Sequence, residues 1–145
     1  MALTHNTDKI LVPEGIYADA RGRIIALPEF PTAHAMIIES TVGAVRGNHY
    51  HHHESHLMYV VSGRMIYLEQ QEDGEMLMLD VEPGGAVVSP RGLAHATVFP
   101  ERSVIAVLSD VDRGGDRYES EVVRVDPLQH QVDISHLYSG PQVTP

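Results

Sequence analysis

Between Gly47 and Val61 the chain reads Gly-Asn-His-Tyr-His-His-His-Glu-Ser-His-Leu-Met-Tyr-Val-Val and holds five of its ten histidines. In an extended strand, side chains two apart share a face at a separation of about 7 Å, so His49 and His51 point the same way. Imidazoles on that spacing can converge on one divalent cation at about 2.0–2.1 Å per nitrogen. His56 follows five residues later, far enough for the chain to turn and present a third nitrogen from the next strand. A cluster of this kind needs walls, and the question for the remaining residues is whether they supply them.

They read as short strands. Apolar or alternating runs at 9–12, 23–27, 35–42, 48–51, 56–62, 64–71, 75–81, 86–89, 94–99 and 103–109 are punctuated by glycine and proline. Ser62-Gly63 and Glu72-Asp73-Gly74 have the composition of hairpin turns. No stretch before residue 127 sustains a 3.6-residue period over eleven residues, and many evenly spaced strands predict an all-β sandwich or barrel. Because the strands carry histidines, a jelly roll is the favoured form. A last strand is expected at 119–125 and one short helical turn within 126–137. Residues 1–8 are polar and predict a mobile arm or a strand donated to a partner subunit, and residues 138–145 predict a frayed tail. With no repeat and no linker, a single domain over residues 1–145 is expected.

Composition narrows the chemistry. The chain has no cysteine, which fits a reducing compartment and leaves only His, Asp and Glu to hold a metal. A cytoplasmic location is expected, since no apolar run approaches 18 residues and the first residues do not form a signal sequence. A formal net charge of −10, with Lys9 as the single lysine, argues against nucleic acid and anionic membranes as partners.

Two spaced motifs give the chain a resemblance. The first joins Gly43, His49, His51, His56 and Gly63; the second joins Gly84, Pro90, Gly92, His95 and Phe99. Their spacing is similar to that of the cupin family, which implies a double-stranded β-helix, or jelly-roll barrel, with a metal inside and often a homodimer. The family ligand set maps onto His49, His51, His56 and His95, with one divalent ion per chain: zinc first, then iron, nickel or manganese. Two positions depart from the pattern, since His56 stands where the family has a glutamate ligand and Phe99 where it has an asparagine. Four neutral imidazoles leave the cation its full charge, so the site is expected to be a strong Lewis acid.

If Ser62-Gly63 closes a two-residue hairpin, strand parity turns Met36, Ile38, Met58, Val60, Met65 and Tyr67 inward with His56, and with Phe99 they are the expected lining of an apolar, substrate-binding cavity. On the same face Glu69 is expected opposite His56 with Gln71 beyond it, so Tyr67, Glu69 and Gln71 are the candidate catalytic side chains. His52, His53 and Glu54 read as a solvated connection. Within the cupins, the length, histidine set and apolar lining look like the small cyclases of aromatic polyketide biosynthesis, of the resistomycin type. That likeness implies a small, apolar, carbonyl-rich substrate closed by aldol condensation. The segment Arg46 to His51 also resembles the motif start of sugar-nucleotide ketoisomerases, which is the first alternative. A quercetinase-like metal dioxygenase and a non-enzymatic small-molecule-binding cupin complete the set.

Overall fold

The computed structural model describes residues 3–112 and 121–137. Its strands are β1 (Leu3–Thr4), β2 (Gly15–Asp19), β3 (Gly22–Ala26), β4 (His34–Ser40), β5 (Val45–His51), β6 (His56–Ser62), β7 (Met65–Gln70), β8 (Met76–Val81), β9 (Ala86–Ser89), β10 (His95–Val98), β11 (Ser103–Ser109) and β12 (Val122–Arg124). Two sheets face each other, one ordered β1-β8-β7-β10-β5-β12 and the other β4-β11-β6-β9, while β2 and β3 form a separate ribbon. This is the jelly-roll barrel that the strand pattern predicts. No helix among the described residues is long and apolar enough to cross a membrane.

Alternation builds the interior. Met58, Val60, Met65, Tyr67, Leu77, Leu79, Val87, Phe99, Ile105 and Val107 form one buried cluster between the sheets. Every second residue of a strand contributes to it, as the two-residue period requires. The opposite faces are covered too. Ile66, Leu68, Met76, Met78, Ala96 and Val98 pack under Leu128 and Ile134, and Leu57 and Tyr59 pack under Leu11, Ile25, Leu27 and Phe30. Strands buried on both faces read as unbroken apolar runs, which explains the sequence of β6.

Four expectations change. Residues 3–4 are not an arm: β1 pairs in parallel with β8 of its own chain, Leu3 beside Met76. The strand expected at 9–12 is a 3₁₀ turn at Thr7–Lys9 followed by an isolated bridge from Leu11 to Ala86. β2 had no clear sequence signal, because its face is exposed and its residues do not alternate. Ser62-Gly63 does not close a hairpin; β6 and β7 lie in different sheets, and the turn is a corner between them. Glu72-Asp73-Gly74 does close one, with the Gln71 N–H donating to the Glu75 carbonyl at 2.9 Å. The helical turn expected within 126–137 is the 3₁₀ turn Leu128–His130, and the last strand shortens to β12. The tail expected at 138–145 lies outside the described residues.

Gly63 makes the corner possible. Its φ is +84°, and a Cβ there would sit 2.3 Å from the Arg102 carbonyl oxygen and 2.7 Å from the Ser103 Cα. Gly74 has a similar φ of +86° with nothing within 4 Å. Gly63→Ala is therefore expected to cost roughly 3 kcal/mol or more, from left-handed strain plus overpacking, and Gly74→Ala only about 1–2 kcal/mol. Urea unfolding of the two variants measures the difference; equal losses would refute the close approach at the corner.

Candidate metal centre

Four imidazoles meet at one end of the barrel. His49 and His51 come from β5, His95 from the start of β10 and His56 from the start of β6 in the facing sheet. Ring centroids lie 4.7 Å apart for His49 and His51, 4.9 Å for His49 and His95, 5.4 Å for His51 and His56, and 5.2 Å for His56 and His95. All four are buried. Ligand nitrogens of His49, His51 and His95 lie within 4.8 Å of one another, and His51, Glu54 and His56 form a second such group.

A bulge sets this geometry. His95 pairs with His49, but the next residue, Ala96, pairs with Gly47, so Asn48 is the extra residue. Gly47 and Asn48 both have positive φ, +87° and +56°. A Cβ at Gly47 would lie 2.9 Å from the His95 carbonyl oxygen, so only glycine lets β10 approach. The Asn48 side chain stabilises its own strained backbone: Oδ1 accepts from the Leu128 N–H at 2.8 Å and Nδ2 donates to Gln129 at 3.0 Å.

The donor set suits a divalent ion. Burial, then the neighbouring His56, His49 and His51, holds the His95 ring well below its ordinary pKa of 6.5, with only a backbone bond at Leu93 opposing. Neutral rings keep the lone pairs that a cation takes. Two ring nitrogens are engaged from outside the cluster. His95 Nδ1 lies 2.9 Å from Ser89 Oγ, and His51 Nδ1 lies 2.6 Å from Glu121 Oε2 and 3.0 Å from Glu54 Oε1. Such outer partners orient ligand imidazoles.

Glu54 is thus buried, 1% exposed, and not part of a solvated connection. The polar run around it concealed this, although in an extended segment a carboxylate two residues before His56 shares its face. Glu121 Oε1 accepts the N–H groups of His53 and Glu54, both at 2.7 Å. Burial alone would raise the Glu121 carboxyl, but these bonds and His51 together hold it below the usual carboxylate range.

A cavity of about 230 Å³ opens beside the four rings, lined also by Met36, Ile38, Met58, Thr97, Arg46 and Arg124. Val60, Met65, Tyr67 and Phe99 are not in that lining. They face inward as parity predicts but belong to the packed cluster between the sheets and not to the wall of this cavity. The catalytic candidates also move. Glu69 pairs with His95 and not His56, because β7 neighbours β10. Its Oε1 accepts from Tyr67 Oη at 2.7 Å, and burial, then the Glu69 charge, pushes the Tyr67 hydroxyl well above its usual value. Tyr67 lies behind His95, rings stacked at 6.2 Å, and with Glu69 lines a separate cavity near Lys9, Leu11 and Leu77. Gln71 sits past the end of β7 in the hairpin turn and does not line the cavity beside the rings.

A cupin-domain family model matches residues 36–111, more than half of the chain. The chain belongs to the cupin family. No curated protein sequence is detectably similar. Among solved structures, the rmlC epimerase of Mycobacterium tuberculosis is 16% identical with a TM-score of 0.73, covering 100% of this chain and 84% of that one. ChmJ, a 3'-monoepimerase from Streptomyces bikiniensis in complex with dTDP-quinovose, is 19% identical with a TM-score of 0.71, covering 87% and 73%. A 3,4-ketoisomerase from Helicobacter canadensis is 20% identical with a TM-score of 0.64, covering 80% and 89%. At these identities the likeness establishes the fold.

The expectation of a polyketide cyclase is corrected on these findings. Eight similar solved structures are all sugar epimerases or ketoisomerases. The cavity bears on the correction too: two guanidinium groups line it beside the expected apolar side chains Met36, Ile38 and Met58.

The buried, neutral His95 also carries a consequence for stability. Its folded pKa lies below the unfolded 6.5, so the unfolded chain takes up a proton that the fold refuses. That contribution is intact above pH 6.5 and is lost as pH falls below it. Metal-free protein is expected to lose urea resistance between pH 7.5 and 5.5, and His95→Gln to flatten that slope; an unchanged slope refutes the assignment.

Proposed function

We propose that the chain is a metal-dependent isomerase or epimerase of a keto sugar carried on an anionic group such as a nucleoside diphosphate. The observation that carries this reading is the joint lining of one cavity by four imidazoles and two arginines. His49, His51, His56 and His95 would hold the ion. When bound, a divalent ion polarises a carbonyl and so acidifies the neighbouring C–H. The fold's likeness to nucleotide-sugar epimerases supports the same substrate class.

The side chains divide the remaining work. Arg46 is braced, its Nε donating to Ser40 Oγ at 3.0 Å and its Nη2 to the Glu39 carbonyl at 3.1 Å, which fixes the guanidinium for charge-assisted bonds to an anion. Arg124 reaches the cavity from β12, where it pairs with His49. Met36, Ile38, Met58, Ile105 and Val107 give the sugar ring an apolar wall, and such walls exclude water around the reacting carbon. Tyr67 and Glu69 do not line this cavity, and four imidazoles bound to an ion would have no lone pair left to take a proton, so a proton leaving the substrate passes to solvent at the mouth.

The test is deuterium exchange into a 4-keto-6-deoxy sugar nucleotide, followed by NMR in D₂O. Zinc-loaded protein is expected to exchange the protons beside the ketone, and His56→Ala to lose both bound metal and exchange. Arg124→Gln is expected to raise KM about tenfold or more while changing kcat less, as for a lost bond to a charged group. Absence of exchange across keto-sugar nucleotides, with no rise in Tm on adding them, rejects the reading.

A further inference from the structure

Four imidazole ligands contribute no negative charge, yet two carboxylates converge on the outer nitrogen of one of them. Glu121 Oε2 and Glu54 Oε1 lie 2.6 and 3.0 Å from His51 Nδ1. Neither carboxylate depends on His51 for its position. Glu54 Oε2 accepts a hydrogen bond from Ser109 Oγ at the end of β11, and Glu121 Oε1 accepts two backbone N–H groups. A nitrogen facing two carboxylate oxygens must carry the hydrogen, which leaves the lone pair of His51 on the buried Nε2. Glu54 Oε1 also lies 3.9 Å from His56 Nδ1, so its charge bears on two of the four rings.

We propose that Glu54 and Glu121 are positioning residues of the metal centre: they fix His51 as its Nδ1–H tautomer and return to the site, one bond further out, the negative charge absent from its ligand set. The inference rests on the metal-binding part of the proposed function. It revises the charge expected from the ligands alone, because an imidazole that donates to a carboxylate is a more basic ligand. The bound ion is therefore held more tightly, and acidifies what it contacts less, than four isolated imidazoles would allow.

Glu54→Gln and Glu121→Gln keep an acceptor oxygen and remove the charge. Each is expected to weaken zinc binding about 10- to 100-fold in chelator competition, with stoichiometry unchanged. In cobalt-loaded protein the pH midpoint of the visible spectrum is expected to fall in both variants, a shift that a merely structural role would not produce. The ¹⁵N shifts of His51 in the zinc-loaded wild type, which need no variant, are expected to show Nδ1–H. Wild-type affinity and midpoint in both variants, an Nε2–H tautomer, or X-ray absorption showing a carboxylate oxygen bound directly to the metal would each overturn the proposal. Wild-type protein that binds no metal defeats the proposed function as well, whereas unchanged variants defeat this inference alone.

Discussion

An imidazole inside an apolar barrel is tolerated only as a neutral ring with its N–H satisfied. That constraint organises one end of this molecule. His95 cannot readily be charged, because it is buried and faces three other imidazoles. A neutral ring has one donor to place and one lone pair to offer. Ser89 meets His95 from β9, and Glu54 and Glu121 meet His51. In His51 and His95 the engaged Nδ1 is turned outward to these partners, which leaves the other ring nitrogen for the cluster.

Holding the rings at this separation depends on segments distant in sequence. The bulge at Gly47 and Asn48 aligns His49 with His95, and it is braced by the chain after β12, where Val125, Leu128 and Gln129 bond to Asn48. The same C-terminal stretch lays Leu128 and Ile134 on the outside of the six-stranded sheet. Its apolar packing therefore stabilises the sheet, and its polar contacts fix the ligand strand. The N-terminal segment does the matching work on the other sheet through Leu11 and Ile25. A site built this way has its precision set by two-sided burial of the ligand-bearing strands and not by the loops at its mouth.

Much of this was legible in the sequence because it follows local rules. Alternation placed Met36, Ile38, Met58, Val60, Met65 and Tyr67 inward, and β6, β9 and β11 appear with the bounds that their apolar runs suggest. What failed were inferences that required knowing which strand lies beside which. A two-residue hairpin at Ser62-Gly63 would have set Glu69 against His56, but the chain changes sheets there, so Glu69 meets His95. Inward-facing was also read as cavity-lining, and those differ: Val60, Met65 and Phe99 fill space that Met36 and Met58 leave open. Glu54 and Glu121 were illegible for a related reason. They are separated by 67 positions and become neighbours only when β12 closes on β5.

A net charge of −10 argues against nucleic acid and anionic membranes as partners, yet that sum counts groups spread over the whole surface. Arg64 pairs with Asp80 and Arg91 with Asp110, at 2.6 and 2.7 Å, both away from the cavity. Arg46 and Arg124 stand at its wall. Charges beyond about 8–10 Å are screened at physiological salt, so a ligand entering the cavity responds to these two guanidinium groups and to the site's own charge far more than to the distant carboxylates. Local placement, and not the total, decides which sign of ligand the cavity accepts.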